Sequence, residues 1–299
     1  MKQSKEQGAT NNHKGLFVVD LDGTLLTSHR QIASIDLTAL SRLREDGFLV
    51  AIATGRSNYS FNLLMEELGY SDQTSRLPVD YVIFSTGAGI MDFQGNTILK
   101  SFSLSPKDVR CASEYLELSG LDYMIHQPVP DTAHFLYSHN GTNNPDFQRR
   151  LKMYGDFATL LSAETLDTFG GATQVLCIVS DETGHEVAAR VAVALEQCSV
   201  IKATSPLDGK SIWIEIFAPT VSKSQAVKWL SESIGLQQNT ICAVGNDYND
   251  EDLLHWAGQG FVVANGPPSL KALFRSVASN DDGGVSEAVD LWLTDLQKN

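Results

Sequence analysis

The chain has 299 residues, which at ~150 residues per domain points to one large domain or two ordinary ones. A hydrophobic fraction of 42% with 19% charged residues supports a substantial core and excludes an intrinsically disordered or low-complexity protein. Lys and Arg number 22 against 36 Asp and Glu; the net charge of −14 repels phosphodiester backbones and argues against general nucleic-acid or anionic-membrane binding. A small phosphorylated substrate stays open, because a metal ion and one or two placed cations can reverse the potential locally.

No run of about 18 apolar residues exists, so no bilayer span is expected. Residues 1–14 are polar, lack an apolar h-region and read as a disordered tail or leader rather than a signal peptide. Cys111, Cys177, Cys198 and Cys242 are widely spaced with no C-x-x-C pair, as expected of free, mostly buried thiols in a reducing compartment. A cytoplasmic location is the corresponding expectation.

Short apolar, β-branched runs at Leu16 to Val19, Leu49 to Ala53, Tyr81 to Phe84, Ile241 to Val244 and Phe261 to Ala264 predict buried parallel strands. Between them lie helix patterns. In Ser57 to Leu68, Phe61, Leu64, Met65 and Leu68 fall at i, i+3, i+4 and i+7, with Gly69 as the stop. Ser222 to Ile234 opens on an S-x-x-Q capping box and stops at Gly235. Asn249 is placed to cap a further helix with an acidic first turn. This alternation predicts a doubly wound, Rossmann-like α/β domain.

The middle of the chain differs. Asp92 to Asn96 reads as a hairpin turn, and Ser105-Pro106 opens a helix that ends at Gly120. A polar stretch from Gln127 to Asp146 is followed by strands at Thr173 to Val179, Ser199 to Ala203 and Ile212 to Phe217, with a helix at His185 to Gln197. The pattern predicts a core of residues 15–89 and 218–299 carrying an inserted α+β module at 90–217.

The strand ends carry the chemistry. The first strand runs into Asp20-Leu21-Asp22-Gly23-Thr24. Burying two carboxylates one residue apart is costly unless a cation or a developing charge uses them. The second strand ends in Thr54-Gly55-Arg56, with a hydroxyl and backbone N–H groups at a helix start. Lys223 lies in the first turn of the helix capped by Ser222, and the strand at 241–244 runs into Gly245-Asn246-Asp247-Tyr248-Asn249-Asp250, a set of oxygen donors of the kind Mg²⁺ prefers. Each has a bland alternative as a cap, a solvated charge or a loop. Their occurrence together at one sheet edge, where open parallel sheets bind ligands, favours a site.

These elements resemble the haloacid dehalogenase-like superfamily, specifically its Cof-type phosphatases with a C2 cap. The matching residues are Asp20 to Leu25, Thr54-Gly55-Arg56, Val221-Ser222-Lys223 and Gly245 to Asp250, with Ser85 to Ala88 and Asp282 to Val285 as further turns. The resemblance implies a phosphatase of small phosphomonoesters, sugar phosphates or related metabolites, in which Asp20 is the nucleophile and Asp22 the acid/base. It implies phosphate binding by Thr54, Gly55 and Lys223, and Mg²⁺ held among Asp20, Asp22, Asn246, Asp247 and Asp250. The middle module would then be the cap. Two departures stand out: Asn246 follows Gly245 where the family has Asp, so Asn246 or Asp247 would ligate, and Thr86 replaces an Asn.

A phosphomutase passing the phosphoryl group to another hydroxyl, and a non-catalytic phosphometabolite-binding protein, are the alternatives. In the middle module His126, His134 and His139 lack metal-ligand spacing and read as surface or loop residues, and Arg149-Arg150 reads as a solvated basic pair or as the holder of a second anionic group. Trp213, Trp229, Trp256 and Trp292 are expected to pack in cores.

Overall fold

The buried apolar runs form the parallel heart of an eight-stranded sheet in a computed structural model that describes residues 13–70, 76–141 and 143–298. The tail expected at 1–14 therefore lies, except for its last two residues, outside the described residues. The first part of the chain supplies β1 (Leu16–Val19), α1 (Ser34–Glu45), β2 (Leu49–Ala53), α2 (Asn58–Glu67), β3 (Tyr81–Phe84), β4 (Gly89–Asp92) and β5 (Thr97–Ser101). The middle supplies α3 (Pro106–Leu118), β6 (Tyr123–His126), β7 (Phe135–Ser138), α4 (Pro145–Met153), β8 (Ala158–Leu160), α5 (Ala163–Phe169), β9 (Gln174–Val179), α6 (Asp181–Ala194), β10 (Ser199–Thr204) and β11 (Ile212–Phe217). The chain then returns through α7 (Lys223–Ser233), β12 (Ile241–Gly245), α8 (Glu251–Trp256), β13 (Gln259–Val263), α9 (Pro268–Lys271), β14 (Arg275–Val277) and α10 (Gly284–Leu296).

The large sheet runs β14-β13-β12-β1-β2-β3-β4-β5, parallel as far as β3 and antiparallel over the last two strands. Strand residues alternate between two faces. Phe17, Val19, Val50 and Ile52 pack with α1, α2 and α10, while Leu16, Val18, Leu49 and Ala51 pack with α7 and α8. Burial on both faces is why these strands read as continuous apolar runs. Val19 lies opposite both Val244 and Ile52, so the carboxyl ends of β1, β2 and β12 finish level with one another. The order turns outward in both directions from β1, the switch point at which such sheets bind ligands.

The hairpin of β4 and β5 stays on this sheet, so the chain leaves it only after Ser101 and not at residue 90. The second sheet has the order β10-β11-β9-β6-β7-β8 and is antiparallel except for the β7–β8 pair. Its period-2 alternation places Tyr123, Ile125, Val175, Ile212 and Ile214 under α3 and α6. The opposite face carries Met124, Leu176, Ile178 and Trp213, with Phe147 of α4 packed against them. The polar residues His126, Gln174 and Glu215 lie on that same face and line a cavity of about 740 Å³ shared with the carboxyl edge of the large sheet. The helix start expected at Asn249 is corrected: Asp247 caps a short turn over 248–250, and α8 follows from Glu251. Among the described residues no helix is long and apolar enough to cross a membrane.

Candidate active site

The loop after β1 turns sharply at Gly23, whose φ of 79° lies in the left-handed region; a Cβ there would come within 2.6 Å of the Asn246 side chain. That close approach brings the loop after β1 against the loop after β12. Asp20 is buried at the end of β1, and its backbone N–H donates to the Val244 carbonyl at 2.9 Å. The ammonium of Lys223, fully buried at the start of α7, lies 2.7 Å from Asp20 Oδ1 and 2.5 Å from Asp250 Oδ1. Asp250 Oδ2 accepts the backbone N–H groups of Asn246 (2.9 Å) and Asp247 (3.1 Å), which fixes the loop after β12.

Two carboxylates here share one buried ammonium. Burial, and next the Asp250 carboxylate, push the Asp20 carboxyl up to about 7 against the pull of Lys223. Burial disfavours the charge on Lys223, but Asp20 and Asp250 outweigh it and hold the ammonium above its ordinary range. The cluster is short of one positive charge.

The Asp22 carboxylate points elsewhere: Arg56 Nε and Nη2 grip its two oxygens at 2.7 Å each, and Arg56 Nη1 donates to Ser60 Oγ at 3.1 Å. This bidentate fork is a strong, directional pairing. Its arginine stood within Thr54-Gly55-Arg56, but the sequence alone assigned it no role. Thr54 is fully buried at the end of β2, where its N–H donates to the Ile83 carbonyl at 2.8 Å and its hydroxyl accepts from Arg56 N at 3.0 Å. Gly55 lines the cavity beside Asp20, Asp22 and Asn246.

One terminal atom of the Asn246 side chain lies 3.1 Å from Asp20 Oδ2, from the Asp22 carbonyl oxygen and from Thr24 Oγ1. The amide can meet these oxygens in two ways. Its NH₂ group donates to them directly, or its oxygen faces them across a cation. Adjacent oxygens of an octahedral Mg²⁺ at about 2.1 Å sit about 3.0 Å apart, so the spacing fits this ion. The set comprises one carboxylate, one peptide carbonyl and one amide.

Of the five residues expected around the metal, therefore, Asp20, Asn246 and the carbonyl of Asp22 converge. Asp247 does not: its carboxylate accepts the Thr204 backbone N–H at 2.6 Å and the Thr204 hydroxyl at 3.0 Å, because it faces β10 of the second sheet. Asp250 is committed to Lys223 and to the loop backbone.

Across the cavity Glu215 of β11 accepts from Thr86 Oγ1 at 2.8 Å, joining the two sheets at the residue that departs from the family pattern. Burial pushes the Glu215 carboxyl up to about 7. Sequence reasoning passed over Glu215, whose only signal was one acidic residue on the inward side of an apolar strand. Of the histidines, His126 is no surface residue: it is buried on β6 and lines the cavity, whereas His134 edges against Phe157 and His139 pairs with Asp122 at 3.0 Å. Arg149 donates to the Leu207 carbonyl at 2.6 Å, while Arg150 stacks on Trp213 and Tyr154.

The sequence profile described as haloacid dehalogenase-like hydrolase matches residues 17–289. The chain belongs to the haloacid dehalogenase-like hydrolases. This hydrolase is 25% identical to Bacillus subtilis YxeH, which bears a provisional phosphatase name, over 92% of its own length and 96% of that protein. It is 23% identical to the B. subtilis 5-amino-6-(5-phospho-D-ribitylamino)uracil phosphatase YwtE, over 93% and 98% of the two chains. Among solved structures, the subclass IIB sugar phosphatase BT4131 superposes with a TM-score of 0.73 at 19% identity, over 93% of this chain and 98% of that one, a likeness of fold. Phosphatase is the enzyme class that the family match and these relatives support for this hydrolase.

Proposed function

We propose that this hydrolase is a Mg²⁺-dependent phosphatase that hydrolyses small phosphomonoesters, sugar phosphates or related metabolites, through an aspartyl-phosphate on Asp20. The observation that carries the reading is the convergence of Asp20, Lys223, Asn246 and the Asp22 carbonyl at the switch point of the sheet, with Asp22 and Thr54 alongside. Asp20 Oδ2, the Asp22 carbonyl and the Asn246 side-chain oxygen would hold the cation. When bound, it would neutralise charge on the transferring phosphoryl oxygens and supply the positive charge that the cluster lacks.

The steps assigned to the chain's own residues are these. An Asp20 oxygen attacks phosphorus in line, and the bond from phosphorus to the leaving oxygen breaks. Asp22 protonates that oxygen, then takes a proton from the water that attacks the aspartyl-phosphate and releases phosphate. In its grip on Arg56 both Asp22 oxygens accept, so proton donation requires the carboxyl to turn from Arg56 toward the leaving group. Lys223 keeps Asp20 oriented and, with the Thr54 hydroxyl and the backbone at Gly55, stabilises the phosphoryl oxygens. The module inserted after Ser101 and ending at residue 217 serves as the C2 cap over the core, which keeps the β4–β5 hairpin, and excludes water from the site.

Asp20→Asn tests this directly. The amide is nearly isosteric, so the circular dichroism spectrum is expected to match the parent while phosphate release from p-nitrophenyl phosphate in Mg²⁺ falls by at least about 10³-fold, the scale on which loss of a nucleophile is felt. Retention of more than about a tenth of the activity would remove Asp20 from the chemistry.

A further inference from the structure

The face of the second sheet that looks into the cavity is polar in an uncompensated way. His126 is 5% exposed, and its Nδ1 lies 3.0 Å from the Thr132 carbonyl oxygen, which can only accept. Nδ1 therefore carries the proton. Burial, and then the nearby Arg150, hold the ring's pKa down to about 3, so the ring is neutral and Nε2 is a bare acceptor. That Nε2 is buried and has no partner. Gln174 (7% exposed) has an unpartnered Oε1, and Thr132 (2% exposed) an unpartnered hydroxyl.

Arg150 completes the group. Its guanidinium lies 4.6 Å from the Trp213 ring and 5.2 Å from the Tyr154 ring, and its Nε is shut off from solvent without an acceptor. Asp146, one turn earlier on α4, accepts from Trp213 Nε1 at 2.8 Å; the Glu215 and Asp146 carboxylates both attract the guanidinium, Glu215 the more strongly, and neither forms a hydrogen bond to it. A guanidinium packed against aromatic rings keeps its N–H fork for a planar partner, and carboxylates and phosphates are the groups that fit it. His126, Thr132, Arg150 and Gln174 all line the same cavity as Asp20 and Asp22. Buried polar groups are normally partnered, so this many open ones on one wall point to a surface that a ligand completes.

We propose that this wall is the subsite for the leaving group, and that it selects phosphomonoesters whose far end carries a second oxyanion next to a hydroxyl group. The oxyanion, a carboxylate or another phosphate, takes the Arg150 fork, and the hydroxyl donates to His126 Nε2. The proposal rests on the phosphatase reading and narrows its substrate class.

The test compares esters that share the reacting phosphate. With the full-length protein in Mg²⁺, kcat/KM is measured for glucose 6-phosphate, 6-phosphogluconate and fructose 1,6-bisphosphate. At least one of the two doubly anionic esters is expected to exceed glucose 6-phosphate by roughly 10- to 100-fold, the scale of a charge-assisted hydrogen-bonded pair. Whichever wins identifies the oxyanion as carboxylate or phosphate. In Arg150→Gln the preference is expected to fall to within about threefold of parity, chiefly through KM, with Arg150→Lys intermediate because it keeps the charge and loses the fork. Thermal melts establish that both variants are folded.

Equal or better turnover of glucose 6-phosphate, or a uniform loss on all three esters in Arg150→Gln, overturns the proposal. Titration calorimetry of the same esters reads the subsite without turnover. Discrimination in binding with no phosphate release from any ester, p-nitrophenyl phosphate included, would leave the subsite standing and sink the hydrolytic reading. Binding without discrimination would sink the subsite alone.

Discussion

Replacing Lys223 by methionine removes the ammonium that bridges two buried carboxylates, at 2.7 Å from Asp20 and 2.5 Å from Asp250. Methionine retains most of the volume, so the loss is electrostatic rather than a cavity. In the parent the Asp20 carboxyl, raised to about 7, ionises beside that ammonium; without it the carboxyl stays protonated to higher pH. Holding that proton up to pH 7 costs the parent itself up to about 1.36 × (7 − 3.8) ≈ 4.4 kcal/mol, so the variant's added loss at pH 7 is that of the broken ion pair. Removing one partner of a buried ion pair costs roughly 3–5 kcal/mol. An acid whose folded pKa is raised costs nothing below its unfolded value and destabilises as pH climbs toward the folded one. The deficit of Lys223→Met is therefore expected to grow further above pH 7, by up to about 1.4 kcal/mol per pH unit, where the parent ionises Asp20 and the variant does not. Urea denaturation of parent and variant at pH 7, 8 and 9, in chelator, reads it. The double variant Lys223→Met/Asp250→Asn is expected to recover more than half of the loss at pH 7, since only one carboxylate stays buried. A deficit below about 1 kcal/mol at pH 7, or one that does not change with pH, would refute the reasoning.

Three further outcomes are expected. Asn246→Asp sets a carboxylate 3.1 Å from Asp20 Oδ2 and the Asp22 carbonyl; it is expected to lower stability in chelator by about 1–3 kcal/mol and to enlarge the rise in melting temperature on adding Mg²⁺, as followed by thermal shift. Glu215→Gln keeps an oxygen for Thr86 and abolishes a carboxyl raised from 4.5 to about 7, whose burden appears as pH rises through that window; the variant is expected to be more stable than the parent at pH 8, by up to about 3 kcal/mol, and no more stable at pH 4. Arg56→Lys replaces the fork on Asp22 with a single ammonium, and kcat is expected to fall by about 10-fold or more on alkyl phosphates and distinctly less on p-nitrophenyl phosphate, whose leaving group does not need an acid.

Where sequence and structure agree, the local signal was self-sufficient. β1, β2, β3 and β12 are buried on both faces and read as unbroken apolar runs, and α2, α3 and α7 each begin with a serine whose side chain accepts the N–H three residues on. Two helices that pack on the same face escaped notice because their starts are not written locally. α1 follows Ala33 and α10 follows the left-handed Gly283, neither with a capping side chain. The N–H of Ser286 in α10 is instead satisfied by Asp36 of α1, 250 residues away in the chain. β6 and β7 border a polar stretch, and β6 itself ends in His126, which lines the cavity, so the alternation that strands show when one face is dry is masked.

The site divides along the same line. Asp20, Thr54 and Lys223 sit at element ends and could be read from position. The roles of Asn246 and Asp247 depended on which neighbour each would face, and only the contact between Thr204 and Asp247 separates them. Arg150 and His126 took their meaning from a shared cavity that no spacing rule encodes.

The Thr204–Asp247 contact also ties two events together. A single step along the backbone separates the carboxylate that grips the end of β10 from the amide that faces Asp20. Were the second sheet to lift, that carboxylate would pass into water, and the short stretch on which Asn246 is mounted would keep its hold on Asp250 but lose the one on Thr204. On the proposed Mg²⁺-dependent reading, departure of product and loosening of the ion would be geared to one another, and ion exchange would quicken with the mouth of the cavity open and slow when a ligand holds it shut.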